Sequence, residues 1–194
     1  MPEIQHSPQL AMLLEGLSDL PPVRLPDGYT IRTYLPGDAS AWDVIISQSF
    51  RMECEGRFER DMRTDSPFRP ERVFFICRGE EPVATAAAWH RPQYGAEIGY
   101  LHMVGVLPSE AGMGLGLQVS LACLHRMKEE GRTACILHTD DYRIPAIKTY
   151  LKLGFRPLLI HEDQRQRWRD VLTKIGRPEL AAEFAHVLDG PVQE

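Results

Sequence analysis

A glycine-rich segment between a predicted strand and a predicted helix constrains the fold of this chain more than any other feature. The apolar run over residues 100–106 favours a strand, and it leads into a loop that carries Gly112, Gly114 and Gly116. Glycines allow backbone N–H groups to converge on one point, and the first turn of a helix favours negative charge there. The segment therefore predicts an anion site that suits a pyrophosphate.

Two common phosphate-binding loops do not fit this segment. The P-loop needs a Lys followed by Ser or Thr directly after its last glycine, and here Leu117 follows Gly116. The dinucleotide fingerprint has the form GxGxxG, whereas this segment reads GxGxG and follows several consecutive predicted strands. The glycines alone therefore leave a second interpretation open, a tight strand-to-helix connection without a ligand.

The hydrophobic pattern predicts an α+β (α/β layered) fold with a mixed central sheet flanked by helices. The predicted strands cover residues 29–35, 72–77, 83–89, 97–106, 134–137 and 156–161. The predicted helices cover residues 8–17, 39–50 and 57–63, a segment from the glycines to Gly131, a segment over 144–151, and two segments after Asp163.

These elements predict three parts of the chain. Residues 1–27 form an N-terminal helix and linker, residues 28–161 the sheet domain, and residues 162–194 a C-terminal helical extension packed on that domain. A chain of 194 residues is long enough for one such domain with its own core. The extension is expected to pack through Trp168, Val171 and Leu172.

Two sequence blocks connect the loop to a known family. A V-x-P strand end followed by [R/Q]-x-x-G-x-[G/A] is matched over residues 106–116 with one departure, and A-x-x-x-Y-x-x-x-G-F is matched over residues 146–155. In this order the blocks resemble the acetyl-CoA signatures of the GNAT superfamily of N-acetyltransferases. The resemblance spans about residues 28–161, and it implies the family's fold, an acyl-CoA-dependent acetyltransferase, acetyl-CoA as cosubstrate and no metal.

The resemblance assigns cofactor contacts mainly to the backbone. Val104, Gly105 and Val106 would pair with the pantetheine arm as if it were a short strand. The N–H groups that would hold the pyrophosphate belong to Gly112, Met113, Gly114, Leu115, Gly116 and Leu117. Arg143 stands where many family members have an Asn that touches the cofactor.

The loop departs from the family pattern in its charge. Ala111 stands where the family has Arg or Gln, Met113 stands where a basic residue is frequent, and Glu110 adds a negative charge. We therefore expect binding through N–H groups without a charge-assisted side chain, and weaker binding than usual. Three cations at the neighbouring predicted helix are candidates for supplying the charge: Arg143, Lys148 and Lys152.

Tyr150 is the candidate donor to the departing thiolate, because it occupies the tyrosine position of the second block. A free Tyr has a pKa near 10 and a thiol one near 8.5, so a hydrogen bond describes the role better than full proton transfer. The alternative is a core tyrosine packed beside Ile147 on a helix face.

His102 is the candidate base, since it lies four residues before Val106 on the strand that would line the thioester. Some family members use a histidine at this offset for proton removal, and an ordinary histidine pKa near 6.5 suits that task. The alternative is a hydrogen-bonded, half-buried histidine. Both interpretations stay open.

Composition limits the remaining partners. A net charge of -5 with a pI near 5.8 argues against a nucleic-acid binder, no apolar run is long enough to span a bilayer, and the first residues lack signal-peptide features. We therefore expect a cytoplasmic protein, and no ligand spacing supports a metal. Homodimerisation is left open.

The expected acceptor is a primary amine on a small molecule. The resemblance implies that it lies near the loop over residues 51–61, whose acids could hold a cationic amine, and the alternative for this run of mixed charge is a solvated surface. The alternatives are a protein or peptide N-acetyltransferase and a non-catalytic acyl-CoA-binding regulatory domain.

Overall fold

The computed structural model describes residues 7–193, and their contacts divide the chain into two units. Residues 15–135 are called the loop unit here, and residues 7–14 together with 136–193 are called the terminal unit. The strands are β1 Leu10–Glu15, β2 Tyr29–Thr33, β3 Val73–Arg78, β4 Glu81–Trp89, β5 Ile98–Val106, β6 Ala134–Thr139 and β7 Arg156–Leu158. The α-helices are α1 Ala39–Phe50, α2 Leu115–Glu129, α3 Ile144–Lys152, α4 Gln164–Lys174, α5 Leu180–Glu183 and α6 Ala185–Leu188.

Strands β2 to β5 of the loop unit pair in sequence order, and every pair is antiparallel. Residues 83–89 of β4 are all buried, which means that both faces of this strand are covered. Helix α1 packs on β4 and β5, and α2 packs on β3, β4 and β5. The predicted strands over 72–106 and the helices on either side of them are therefore confirmed.

An aromatic cluster fixes α1 on the strands of the loop unit. The Tyr34 and Phe58 rings stack with centroids 5.0 Å apart, and the Trp42 ring meets Phe58 edge-on at 5.4 Å. Phe58 begins a π-helical turn, Phe58–Arg63, which matches the helix predicted over residues 57–63. The guanidinium of Arg63 lies 5.3 Å from the Tyr34 ring centroid, so the cluster holds this turn by a cation–π contact as well.

The terminal unit pairs β1 with β7 in antiparallel fashion and packs α4 through Trp168, Val171 and Leu172, which are fully buried. Residues 164–174, 180–183 and 185–188 are helical, which confirms the helical character predicted after Asp163. No strand follows Leu158 within the described residues.

The predicted N-terminal helix over residues 8–17 is wrong, because residues 10–15 form strand β1. This strand is an almost continuous apolar run, Leu-Ala-Met-Leu-Leu-Glu, and its first three residues are fully buried. Periodicity does not separate a short buried strand from a buried helix, and pairing with β7 decides the outcome. The domain limits at residues 27 and 161 stay predictions.

None of the helices within residues 7–193 combines the length and the apolar character that a membrane crossing needs.

Candidate active site

The glycine loop joins the end of β5 to the start of α2. The chain passes through a 3-10 turn at Pro108–Glu110, and Gly112 and Gly114 then adopt φ angles of +85° and +75°. This left-handed backbone costs about 1–2 kcal/mol for a residue with a side chain, and glycine avoids that cost. The two glycines therefore allow the backbone to turn directly into the helix.

The first turn of α2 presents unpaired N–H groups. No side chain caps the helix at Gly114. Within residues 7–193, four consecutive or nearly consecutive N–H groups make no hydrogen bond: those of Gly112, Gly114, Leu115 and Gly116. Such a set at a helix N-terminus is suited to an oxygen-rich anion.

Two of the six predicted pyrophosphate donors are already engaged inside the loop. The N–H of Leu117 donates to the Gly114 carbonyl at 3.1 Å, and that of Met113 lies 3.4 Å from the Glu110 carbonyl. These bonds shape the loop, and they leave the other four groups for a ligand.

The carboxylate of Glu110 does not oppose an anion as strongly as the sequence suggests. Its side chain is only 2% exposed, the Tyr29 hydroxyl donates to Oε2, and Arg78 Nη1 lies 3.1 Å from Oε1. The hydrogen bond to this carboxylate raises the pKa of Tyr29 above its ordinary value. The charge of Glu110 is therefore paired, whereas Ala111 and the exposed Met113 supply no cation.

Strand β5 carries a bulge just before the loop. Ala87 pairs with His102 and Thr85 with Gly105, so that Met103 and Val104 together oppose a single residue of β4. Met103 has a φ of +50°, which is uncommon for a residue with a side chain. Bulges of this kind re-aim the strand next to many active sites.

Beyond the bulge β5 lies tightly against α1. A Cβ placed on Gly105 would be 2.8 Å from Ile46 Cδ1 and 3.0 Å from Ser49 Oγ, so a side chain there would force residues of α1 to shift. Ser49 Oγ donates to the Val106 carbonyl at 2.8 Å, and this hydrogen bond holds the strand end to the helix. The Val106 carbonyl, a predicted contact of the pantetheine arm, therefore already uses one of its two lone pairs for this hydrogen bond.

His102 is half-buried beside two aromatic rings, with centroid distances of 5.9 Å to Trp89 and 5.4 Å to Tyr100. Burial and the charge of Arg91 together lower the pKa of His102 to about 3, while the charge of Asp65 opposes the shift. This pKa lies well below the ordinary value near 6.5, and the sequence does not reveal which distant residues desolvate the ring.

Tyr150 lies in the terminal unit on the buried face of α3. Its side chain is 4% exposed, and its ring meets Phe155 edge-on at 6.0 Å. Ile147 of the same helix is fully buried. The packing is what a core tyrosine would show, and the role of its hydroxyl towards a thiolate stays a prediction.

Arg143 directly precedes α3, and its side chain is half-buried. No side chain caps the start of α3. The nearby carboxylate of Asp141 instead accepts two hydrogen bonds from the guanidinium of Arg167, at 2.6 and 2.9 Å. Burial lowers the pKa of His138 below its ordinary value. No group of three metal-binding side chains occurs within residues 7–193.

A shallow cavity of about 530 Å³ lies at the end of α1 in the loop unit. Its lining residues are Ser47, Gln48, Arg51, Met52, Glu53 and Pro108. Within the predicted acceptor loop over residues 51–61, Asp61 pairs with Arg57 and Glu59 with Arg63. Glu53 is the acid of that loop which lines the cavity, and it is exposed.

A model of the acetyltransferase (GNAT) family matches residues 41–155 of this chain. The matched range is more than half of the 194 residues, and it contains both sequence blocks. The chain therefore belongs to the GNAT acetyltransferase family, as the blocks predict.

Curated relatives agree with this assignment. The chain is 34% identical over 144 residues to the mycothiol acetyltransferase of Thermomonospora curvata, an alignment that covers 71% of this chain and 48% of that protein. It is 31% identical over 179 residues to the mycothiol acetyltransferase of Frankia alni, with 83% of this chain and 52% of that protein covered. The chain thus spans about half the length of the curated relatives that it matches.

A solved structure agrees on the fold. A GCN5-related N-acetyltransferase from Sphaerobacter thermophilus matches with a TM-score of 0.59 and 21% identity, over 78% of this chain and 49% of that one. This likeness confirms the predicted α+β fold.

Replacing Gly114 by Ala should lower the free energy of unfolding by about 1–2 kcal/mol, because the alanine side chain is strained at a positive φ. Gly116→Ala is the matched control, since Gly116 has no positive φ and a Cβ there would meet Val106 Cγ2 at an ordinary 3.6 Å. Urea unfolding of both variants measures the difference. Equal stability of the two variants would contradict the strained turn.

His102 should make the protein less stable in acid. The unfolded imidazole binds a proton near pH 6.5, but the folded one resists protonation until about pH 3. The contribution of the neutral His102 to the free energy of unfolding is complete above pH 6.5, and it is lost as the pH falls towards 3. His102→Gln should therefore lose less stability than the parent between pH 7.5 and 4.5, by on the order of 2 kcal/mol.

Urea unfolding at the two pH values gives this difference, with the exposed His186→Gln as the control variant. A His102→Gln variant that loses as much stability as the parent would show that His102 titrates normally in the folded protein.

Proposed function

We propose that this chain transfers the acetyl group of acetyl-CoA to a primary amine of a small molecule. The observation that carries the proposal is the uncapped first turn of α2, where four N–H groups lack a partner beside two positive-φ glycines. Membership of the GNAT family supports a CoA thioester as the ligand. The relatives named mycothiol acetyltransferases support a small-molecule acceptor.

The proposed reaction is a direct attack in a ternary complex. The cationic amine first loses one proton to solvent and becomes a neutral nucleophile. Its nitrogen then bonds to the acetyl carbonyl carbon, the C–S bond breaks, CoA leaves as a thiolate, and the nitrogen loses a second proton to solvent. N–H groups of the loop hold the pyrophosphate, with Arg143 as a further proposed contact, and the strand end carries the pantetheine arm. Tyr150 is the proposed hydrogen-bond donor to the thiolate.

His102 enters the proposal as an uncharged imidazole. A primary ammonium group has a pKa near 10.4, so proton transfer from it to a group with a pKa of about 3 is uphill by on the order of 10 kcal/mol. We therefore propose that His102 acts on the amine through a hydrogen bond, and its role as the base stays a prediction. A neutral ring can instead accept a hydrogen bond from the attacking amine and orient it.

The cavity at the end of α1 is the proposed acceptor site. The acids Asp61 and Glu59 of the loop over residues 51–61 already pair with Arg57 and Arg63. Glu53 is the acid that lines the cavity. A carboxylate there attracts a cationic amine and holds it until it loses its proton.

A second candidate function is a non-catalytic acyl-CoA-binding domain. The loop favours it in one respect, because Ala111 and Met113 supply no side-chain charge for a bound anion. Peptide acetylation is a further outcome that the test below distinguishes.

Purified protein should release CoA thiol from acetyl-CoA when a small amine is added. The panel contains mycothiol-related amines, simple amines and a peptide with a free N-terminus, and released thiol is measured with a chromogenic disulfide. Tyr150→Phe should lower kcat by about 100-fold and change acetyl-CoA affinity by less than about twofold. Thermal unfolding of the Tyr150→Phe variant shows whether loss of the buried hydroxyl destabilises the fold.

Each result of that assay decides between the candidates. Binding of acetyl-CoA without turnover on any amine would favour the non-catalytic domain, and turnover on the peptide alone would favour a protein acetyltransferase. Unchanged turnover in Tyr150→Phe would reject its role.

Glu53→Gln should raise the KM for the amine by about tenfold and leave the KM for acetyl-CoA unchanged, because it removes one charge-assisted hydrogen bond from the proposed acceptor site. The matched control is Glu55→Gln, since Glu55 is exposed and does not line the cavity. Equal KM values for the two variants would place the acceptor elsewhere.

A further inference from the structure

The segment over residues 16–24 follows helix α2 from its C-terminal end to its first turns. Three hydrogen bonds mark the path: Lys128 Nζ to the Ser18 carbonyl at 2.6 Å, His125 Nε2 with the Pro21 carbonyl at 2.9 Å, and the Arg24 N–H to Gln118 Oε1 at 2.7 Å. Both the segment and the helix belong to the loop unit. The sequence of residues 18–27 gives no helix or strand signal, so this course is visible only in the structure.

The path brings Arg24 to the start of α2. Its hydrogen-bond partner Gln118 is the fourth residue of the helix, and it therefore lies about 4.5 Å along the axis from the first, Leu115. Arg24 is exposed, and it forms no ion pair within the described residues. An arginine side chain is long enough to reach an anion bound at that turn.

The loop itself lacks the cation that such an anion requires. Ala111 and Met113 are uncharged, and the nearby Arg78 is matched by the buried carboxylate of Glu110. Arg78 and Glu110 together carry no net charge, whereas the positive charge of Arg24 is not paired with an acid within the described residues.

We propose that Arg24 is the charged partner of the cofactor pyrophosphate and supplies the positive charge that the loop itself lacks. The side-chain oxygen of Gln118 accepts a hydrogen bond from the backbone N–H of Arg24 and so holds that residue near the helix start. This inference rests on the proposed function, and it names a residue outside the sequence blocks as part of the cofactor site.

Calorimetric titration tests the proposal on the full chain with acetyl-CoA, dephospho-CoA and acetyl-pantetheine. Arg24→Gln should bind acetyl-CoA and dephospho-CoA about 5- to 30-fold more weakly than the parent, since both ligands keep the pyrophosphate. Acetyl-pantetheine lacks phosphates and should bind the two proteins equally. At 0.5 M salt the difference for acetyl-CoA should shrink to about twofold, because the pair is exposed.

Two further variants separate charge at this position from general effects. Arg69→Gln removes an exposed arginine of the same unit that donates only to the Ser66 and Phe68 carbonyls, and it should stay within about twofold of the parent. Arg24→Lys should recover most of the affinity because it keeps the charge. Thermal unfolding verifies that the variants fold.

Parent-like affinity of Arg24→Gln for acetyl-CoA would overturn the proposal. A loss for acetyl-CoA that spares dephospho-CoA would also overturn it, because the partner would then be the 3′-phosphate. An equal loss with acetyl-pantetheine would mean a structural effect. If the parent protein binds no acetyl-CoA at all, the proposed function fails first, and the inference fails with it.

Discussion

The shape of the glycine loop depends on an acid that is buried just before it. Glu110 receives a hydrogen bond from Tyr29 and lies next to Arg78, so its charge is compensated inside the loop unit. The chain can then turn through Gly112 and Gly114 directly into α2, and the N–H groups of the first helical turn are left for a ligand. Every step of the proposed chemistry begins with the cofactor held at that turn.

The bulge in β5 and the contact of Gly105 with α1 set the position from which the loop starts. Because Met103 and Val104 oppose one residue of β4, the strand changes its facing between His102 and Gly105. Side chains before the bulge, His102 among them, lie in aromatic surroundings, and the backbone after it is bound to Ser49. The bulge therefore divides β5 into two parts. Before it, the side chain of His102 packs against aromatic rings, and after it, the backbone of Val106 is hydrogen-bonded to α1.

The sequence predicts the family, most strands and helices, and the loop, because these depend on local glycine spacing and hydrophobic periodicity. It misassigns β1, since a six-residue apolar run has no period that distinguishes strand from helix. It does not reveal the lowered pKa of His102 or the ion pair of Glu110, because desolvation and charge pairing arise from residues distant along the chain. The course of the segment that carries Arg24 is invisible for the same reason.

The most direct test of the account observes the loop itself. Backbone amide NMR spectra recorded during titration with CoA should show their largest shifts at the N–H groups that lack a partner, those of Gly112, Gly114, Leu115 and Gly116. The amide of Leu117, which already donates to the Gly114 carbonyl, should move less. Shifts centred elsewhere in the chain, or none at millimolar CoA, would contradict the central claim that this turn binds the pyrophosphate.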